Sequence, residues 1–236
     1  MHYAIIAAGE GSRLSGEGIS IPKPLVEIGG EPLINRLIRI FEQNNAESIS
    51  IILNSNMPML IEHVSKLKTK AKLNIVNKST PSSMHSFYEL SPYLKNKFCL
   101  TTIDTIFNED EFKTFIAEFE TSLNYEGSMV VTDYIDDEKP LYVSTDNKLN
   151  ITGFHDTYSE GIKYVSGGIY ALTAPALEVL NDCMKNGISR MRNYQRALIE
   201  AGLKLQAVPF SKVIDIDHAT DIAKAEQFIK ENKNNR

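Results

Sequence analysis

The residues whose types and spacing best suit chemistry lie in the stretch 7–24. Gly9 and Gly11 follow a short apolar run. Because glycine has no Cβ, the backbone N–H groups of such a turn can approach a phosphate closely. Arg13 adds a fixed positive charge with a planar set of N–H donors. The turn therefore predicts a cradle for the phosphates of a nucleoside triphosphate. Its expected binding residues are Ala7, Ala8, Gly9, Glu10, Gly11 and Ser12.

Lys23 stands between two prolines, Pro22 and Pro24. Each proline fixes its own φ, and Pro24 also drives Lys23 towards an extended conformation. A lysine on so stiff a tripeptide can be aimed at one point. We therefore expect Lys23 and Arg13 to be the catalytic cations.

An aspartate, Asp104, directly follows the strongly apolar run 97–103. Ligands bind at the carboxyl ends of strands in a parallel sheet, so an acid there is well placed to hold a cation. Capping of the following turn is the alternative role for Asp104.

Alternating strands and helices must position these residues, a pattern typical of an α/β fold with a mainly parallel sheet. Strands are predicted at 3–6, 48–53, 73–76, 97–103, 128–133, 164–172 and 203–208, with a hairpin formed by 142–144 and 149–152. Helices are predicted at 32–43, 57–67, 175–184 and 191–201, after 77–82, from Glu109, and from His218 or Ala219 to 229. The polar tail 230–236 is expected to be frayed and solvated.

Composition narrows the function further. The 236 residues carry a net charge of −5 without a basic stripe, which argues against a nucleic-acid surface. The two cysteines offer neither a disulfide framework nor zinc spacing. No signal peptide and no apolar run long enough to span a membrane is visible, so a soluble cytoplasmic protein without membrane partners is expected. A homodimer is compatible with the sequence.

Residues 6–14, IAAGEGSRL, and residues 22–25, PKPL, resemble the amino-terminal signature of nucleotidyltransferases that make activated sugars and alcohols. That signature is roughly L-x-A-G-x-G-x-R-L/M, followed after a loop by P-K-x-L. The resemblance covers the whole chain in element order. It implies one domain, 1–236, with a Rossmann-like three-layer αβα fold and a mainly parallel mixed sheet. Residues of about 1–110 would form the nucleotide-binding half, and about 111–232 the acceptor-binding, metal-completing half.

The resemblance also implies a Mg²⁺ ion held by Asp104 and one acid of the closing motif at 213–229. By spacing, Asp217 matches cytidylyltransferase-like members and Asp215 matches sugar thymidylyltransferase-like members, and we favour Asp217. Hard oxygen ligands and phosphates suit Mg²⁺. The closing motif slightly favours CTP and a compact acceptor, but it fixes neither the base nor the acceptor.

Two further segments match ligand-lining segments of the family. Ser82 and Ser83 lie where relatives have a loop that touches the nucleotide, although capping of the next helix explains them equally well. Gly168 matches a strand that lines the acceptor pocket, and a β-bulge is its alternative explanation.

The second lysine that relatives place after the hairpin is replaced here by GFHD, at 153–156. Lys139 comes before the hairpin, so it is assigned no role. Either acceptor binding differs in this chain, or Lys163 supplies the charge.

The expected reaction is attack of an acceptor phosphate oxygen on the α-phosphorus of a nucleoside triphosphate, with release of pyrophosphate. The expected partners are therefore the triphosphate and a small phosphorylated acceptor. A metal-dependent GT-A-type glycosyltransferase is the alternative, but such enzymes typically lack the glycine turn with Arg13 and P-K-x-L. A dehydrogenase is disfavoured because Leu14 stands near the place of a third glycine and no acid follows Leu53. A non-catalytic nucleotide sensor ranks last, because Lys23 and the aspartates are all present.

Overall fold

The apolar runs of the sequence form strands and the amphipathic runs form helices in the computed structural model, which describes residues 1–234. The strands are β1 (His2–Ala7), β2 (Glu27–Ile28), β3 (Glu31–Pro32), β4 (Ser48–Leu53), β5 (Lys72–Asn77), β6 (Lys97–Thr102), β7 (Thr105–Phe107), β8 (Gly127–Thr132), β9 (Tyr142–Thr145), β10 (Ile151–His155), β11 (Tyr164–Thr173), β12 (Leu205–Pro209) and β13 (Val213–Asp215). The helices are α1 (Ser12–Gly16), α2 (Leu33–Gln43), α3 (Pro58–Ser65), α4 (Ser83–Leu90), α5 (Glu109–Thr121), α6 (Pro175–Lys185), α7 (Met191–Glu200) and α8 (Ala219–Asn234).

The central sheet has nine strands. Seven of them lie in the order β10-β9-β11-β6-β1-β4-β5, while β8 pairs with β11 and β12 pairs with β8. Seven of the nine strands run in one direction, while β10 and β11 run against them. Two small antiparallel pairs, β2 with β3 and β7 with β13, lie outside this sheet. The fold class expected from the sequence, a three-layer αβα fold with a mainly parallel mixed sheet, is confirmed.

Helices pack on both faces of the sheet, so its central strands are buried on both sides. On one face, Tyr3 of β1 stacks on Phe41 of α2 at 4.3 Å between ring centroids. On the other face, Phe98 of β6 packs against Phe87 of α4, with the ring centroids 5.9 Å apart. Such two-sided burial is the pattern expected of strands in a mostly parallel sheet.

The predicted strands and helices occur within a few residues of their expected bounds. The hairpin of β9 and β10 is confirmed, and so is the acidic first turn of α5. The prediction of a frayed tail is wrong for residues 230–234, where α8 continues as a helix; Asn235 and Arg236 lie outside the described residues. The division into two halves at about residue 110 stays a prediction. Within residues 1–234, none of the helices has both the length and the apolar character to cross a membrane.

Candidate active site

The glycine turn connects β1 to the short helix α1 at the carboxyl edge of the sheet. Gly11 has φ +64°, a left-handed conformation that favours glycine. A Cβ at Gly11 would lie 3.1 Å from the Cβ of Lys23, so space and backbone conformation both require glycine. Asn54, at the end of β4, donates its side-chain N–H to the carbonyl of Ala8 at 3.1 Å and fixes the start of the turn.

Lys23 begins a 3₁₀ turn, Lys23–Leu25, and reaches back beneath the glycine turn. Its Nζ lies 2.5 Å from Oδ2 of Asp104 and 2.8 Å from Oδ1 of Asp217. Only 11% of the side chain is exposed. Burial lowers the pKa of Lys23, but the two carboxylates outweigh it, so the pKa lies above its usual value and the ammonium stays charged.

Asp217 also binds Arg13, whose Nη1 donates to Oδ2 at 2.6 Å. The two predicted catalytic cations, 10 positions apart in the sequence, therefore meet on one carboxylate that follows β13. Asp221, in the first turn of α8, accepts from the backbone N–H groups of Asp217 and His218 at 3.1 and 2.8 Å. Asp221 thus holds the loop that presents Asp217.

Asp215 reaches the same region through the pairing of β13 with β7, which places it opposite Thr105. The hydroxyl of Thr105 donates to Oδ1 of Asp215 at 3.2 Å. Desolvation by the atoms packed around it, and then the charges of Asp104 and Asp217, raise the pKa of Asp215 above its usual range, although Asp215 is still exposed to the cleft. Three carboxylates are therefore crowded at one end of the cleft.

The donor set fits a hard divalent cation. Asp104 and Asp217 both contact the single ammonium of Lys23, so their oxygens already approach one positive centre. In residues 1–234, no group of three acidic, histidine or cysteine side chains is arranged as a ready-made metal site. A cation at Asp104 and Asp217 would therefore take over the contacts that Lys23 now makes.

Three adjoining cavities form the cleft around these residues. The Gly11 cavity, of about 350 Å³, is lined by the glycine turn, Lys23, Ser83 and Asp104. The Tyr170 cavity, of about 340 Å³, shares Ser83 and Asp104 with it. The Tyr134 cavity, of about 150 Å³, shares Arg13 and Asp217 with the first cavity and Asp215 with the second. The shared residues place the carboxylates where the cavities meet.

The serines predicted from the sequence are only partly as expected. Ser83 lines both the Gly11 and Tyr170 cavities. Ser82 occupies the cap position of α4, but its side chain makes no capping hydrogen bond; its hydroxyl contacts Nδ1 of His85 at 2.8 Å. The capping explanation therefore fails for the Ser82 side chain.

Gly168 satisfies both explanations offered for it. The register of β11 against β8 shifts between Ser166 and Tyr170, which is a β-bulge. Gly168 lies inside that shift with φ +70°, and it also lines the Tyr170 cavity. A Cβ there would lie 3.2 Å from the hydroxyl of Thr105. The bulge therefore brings bare backbone to the cavity wall.

The Tyr170 cavity also contains residues to which the sequence analysis assigned no role. Lys139, Arg190 and Arg192 line it together with Tyr170 and Gln195. Burial is the main cause that raises the pKa of Tyr170, to about 12, so its hydroxyl stays neutral. The available signal was the run RMRNYQR at 190–196, whose polar residues crowd the start of α7.

Lys163, the alternative source of positive charge, lies elsewhere. It pairs with Asp133 at 3.6 Å, its side chain is 63% exposed, and its ammonium lies over the ring of Tyr164. It lines none of the three cavities.

Comparisons with known proteins identify the architecture. The chain is 26% identical over 233 residues to the bifunctional protein GlmU of Methanococcus maripaludis, a match that covers 95% of this chain and 53% of that protein. The chain thus spans about half the length of this curated relative.

Among solved structures, the inositol-1-phosphate CTP transferase of T. maritima superposes with a TM-score of 0.81 at 18% identity, covering 98% of this chain and 96% of that chain. HddC of Yersinia pseudotuberculosis superposes with a TM-score of 0.75 at 22% identity, covering 97% and 100%. Both show the same fold.

The family model described as nucleotidyl transferase matches residues 3–232, nearly the whole chain. Its match includes the glycine turn, Lys23 and the aspartates that the fold gathers at one edge of the sheet. The chain therefore belongs to the nucleotidyl transferase family.

Proposed function

We propose that this chain transfers a nucleoside monophosphate from a nucleoside triphosphate to a sugar 1-phosphate or a small phospho-alcohol, with Mg²⁺ as cofactor and pyrophosphate as leaving group. The observation that carries the proposal is the contact of Lys23 with Asp104 and Asp217 beneath the glycine turn. That arrangement puts a phosphate cradle, a buried cation and two carboxylates within one cleft.

Each group has a role that its chemistry supports. The backbone of residues 7–12 and the guanidinium of Arg13 would hold the β- and γ-phosphates, since N–H donors and a planar fork suit phosphate oxygens. Lys23 would contact the α-phosphate and the acceptor phosphate together. Ser83 lies between the two larger cavities, where the two substrates would meet.

The reaction needs no general base. An ionised oxygen of the acceptor phosphate forms a new bond to the α-phosphorus, and the bond from that phosphorus to the bridging oxygen of the β-phosphate breaks. The released pyrophosphate carries the electron pair. Since both reactants are anions, the protein's task is to bring them together and to stabilise negative charge in the transition state.

Asp104 and Asp217 would hold Mg²⁺, with Asp215 as the alternative to Asp217. The bound ion would neutralise charge on the phosphates. Lys23, displaced from the two carboxylates, would then be free to contact phosphate.

The glycosyltransferase alternative is not favoured, because the chain belongs to the nucleotidyl transferase family. Sugar 1-phosphates, phosphocholine-like compounds and phosphonates are the acceptor classes to be tested.

The test is pyrophosphate release from ATP, CTP, GTP, UTP and dTTP, each with and without a panel of acceptor phosphates. We expect release only when one triphosphate and one acceptor are combined with Mg²⁺. Asp104→Asn should lower turnover by at least ~10²-fold, the order of magnitude of one lost transition-state contact.

Asp182→Asn is the matched control, since Asp182 lies on the surface of α6 and pairs only with Lys185 among the described residues. It should leave turnover unchanged. Full activity in EDTA, or of Asp104→Asn, would contradict the metal site.

A further inference from the structure

The charges that line the cleft are unevenly paired. Of its lysine and arginine side chains, most bind carboxylates in the described part of the chain. Arg13 and Lys23 hold Asp217, and Lys224 holds Asp136 at 2.6 Å. Arg192 holds Asp156 at 2.5 Å. The remaining two, Lys139 and Arg190, have no carboxylate partner within residues 1–234, and both line the Tyr170 cavity.

Each acid of that cavity accepts a hydrogen bond, although only Asp104 contacts a cation in the described residues. Asp104 contacts Lys23, and Asp215 accepts from Thr105. Asp137 accepts the backbone N–H of Lys139 at 2.9 Å. Within residues 1–234, Lys139 and Arg190 are therefore the only lysine or arginine side chains of the Tyr170 cavity that no carboxylate contacts.

The backbone of Arg190 is in a strained conformation. It has φ +72° and ψ +139°, a conformation that residues with a Cβ rarely adopt. Its N–H lies 3.4 Å from the hydroxyl of Ser82, next to Ser83 in the cleft. A strained residue whose side chain lines a cavity and lacks a partner is more readily explained by a ligand than by the stability of the fold.

Lys139 is positioned by α7, the helix that begins directly after Arg190. Arg192, two residues after Arg190, donates to the carbonyl of Lys139 at 3.1 Å while it holds Asp156. The start of α7 therefore fixes both unpaired cations on one cavity, although they are 51 positions apart in the sequence.

The reacting phosphate of the acceptor has other partners. In the proposed reaction, this phosphate attacks the α-phosphorus, so it lies where Lys23, Asp104 and Asp217 meet. Lys139 and Arg190 are then left to contact the body of the acceptor.

Resting on the proposed function, we propose that Lys139 and Arg190 recognise a second anionic group on the acceptor, a carboxylate or a further phosphate. The preferred acceptor is then an acidic phosphorylated compound, and the two cations determine specificity without taking part in the transfer.

The test compares acceptors that differ only in the second anion. Glucose 1-phosphate is compared with glucuronate 1-phosphate and glucose 1,6-bisphosphate, and glycerol 3-phosphate with 3-phosphoglycerate. Pyrophosphate release, with the triphosphate that supports it, gives kcat/KM for each. We expect the acidic member of at least one series to be preferred by roughly 10- to 100-fold, the range of one or two charge-assisted hydrogen bonds. The two glucose derivatives show whether a carboxylate or a phosphate is recognised.

Lys139→Ala and Arg190→Gly should each abolish much of that preference and leave the KM for the triphosphate unchanged. Arg190→Gly removes the guanidinium and also relieves the backbone, so it should fold at least as stably as the wild type. Lys148→Ala, an exposed lysine in the β9–β10 turn, is the control and should keep the preference.

Calorimetric titration of the same acceptor pairs in the presence of Mg²⁺ separates this inference from the proposed function. Tighter binding of the acidic member, lost in both variants, supports the second-anion site whether or not pyrophosphate is released. Equal affinity for acidic and neutral acceptors would overturn it. The inference would also be overturned if both variants bound glucose 1-phosphate and its acidic analogues more weakly by the same factor, because the two cations would then bind the reacting phosphate.

Discussion

At the scale of single residues, the site depends on one lysine between two carboxylates. Lys23 forms ion pairs with Asp104 and Asp217, the two carboxylates that would bind a divalent cation in the proposed complex. The ammonium thereby limits repulsion between acids that would otherwise be crowded without a counter-charge. The same residue would act on phosphate once the ion is bound.

Lys23→Met tests this double role. Turnover should fall by ~10²-fold or more, because one contact to the phosphates is lost. Without Mg²⁺ the variant should melt at a lower temperature than the wild type, and Mg²⁺ should raise its melting temperature by more than it raises that of the wild type. Equal Mg²⁺ shifts in thermal unfolding would contradict the idea that lysine and metal compete.

Lys23→Arg should not restore turnover, because the planar guanidinium does not fill the place of a compact ammonium between two carboxylates. Kinetics like those of the wild type for Lys23→Met would show that Lys23 has no part in the reaction.

Gly11 permits a second test at this scale. Gly11→Val would place a branched side chain against Lys23 at a left-handed backbone position, so we expect loss of triphosphate binding in calorimetry. Gly16→Ala is the matched control, because a Cβ at Gly16 meets no atom within 4 Å. Triphosphate binding by Gly11→Val at normal affinity would show that the turn is not the phosphate cradle.

The sequence predicted which residues of the amino-terminal half meet at the site, because Gly11, Lys23 and Asp104 follow local patterns. It could not predict Lys139 and Arg190. Their proximity depends on a hydrogen bond between Arg192 and a carbonyl 53 positions away, and no local pattern encodes that contact.

At the scale of elements, one loop and one short strand pair complete the cleft. The loop 133–140 is tied to α8 through Lys224 and Asp136 and to α7 through Arg192. The pair of β7 and β13 aligns Asp215 with Thr105. These few contacts set the width of the cleft.

The end of β10 is joined to α7 by Asp156, which accepts from Arg192 and Arg196. Hydrogen bonds from Arg196, then Arg192, hold the pKa of Asp156 below its usual value of 3.8. A carboxylate with a lowered pKa contributes stability above pH 3.8, and that contribution is lost as the pH falls through the lowered pKa.

Asp156→Asn should therefore destabilise the protein at pH 7, by no more than about 1 kcal/mol because the carboxylate is 54% exposed. The difference in free energy of unfolding from the wild type should shrink as the pH falls below 3.8. Asp156→Asn should also raise the KM for the acceptor, since Arg190 directly precedes α7. Urea unfolding between pH 3 and pH 7 measures the first effect; a difference independent of pH would contradict the ion pair.

The longer elements and the β9–β10 hairpin were predictable, whereas the short elements α1 and β7 were not. β4 is a continuous buried run rich in isoleucine, and α2 has an amphipathic helical pattern that begins after Pro32. The five-residue α1 buries only Leu14, so it shows no helical pattern. β7 has three residues, and its pairing with β13 joins segments about 110 positions apart, a contact that only the complete fold supplies.

At the scale of the whole molecule, the net charge of −5 contrasts with the lysine and arginine side chains that line the cleft. The chain resolves the contrast locally, by bringing cations from its first and second halves to one edge of the sheet. A family match to residues 3–232 agrees with that arrangement, since the site needs residues from Gly11 to Asp217.

In the proposed reaction, an acceptor phosphate oxygen attacks the α-phosphorus. This step is tested most directly by transfer from an unlabelled triphosphate to an acceptor labelled with ¹⁸O at the terminal oxygens of its phosphate, with both products analysed by mass spectrometry. We expect all of the label to stay in the nucleoside diphosphate product and none to enter the pyrophosphate. Label in the pyrophosphate, or transfer of a sugar from a nucleoside diphosphate sugar with no pyrophosphate from any triphosphate, would contradict the proposed reaction.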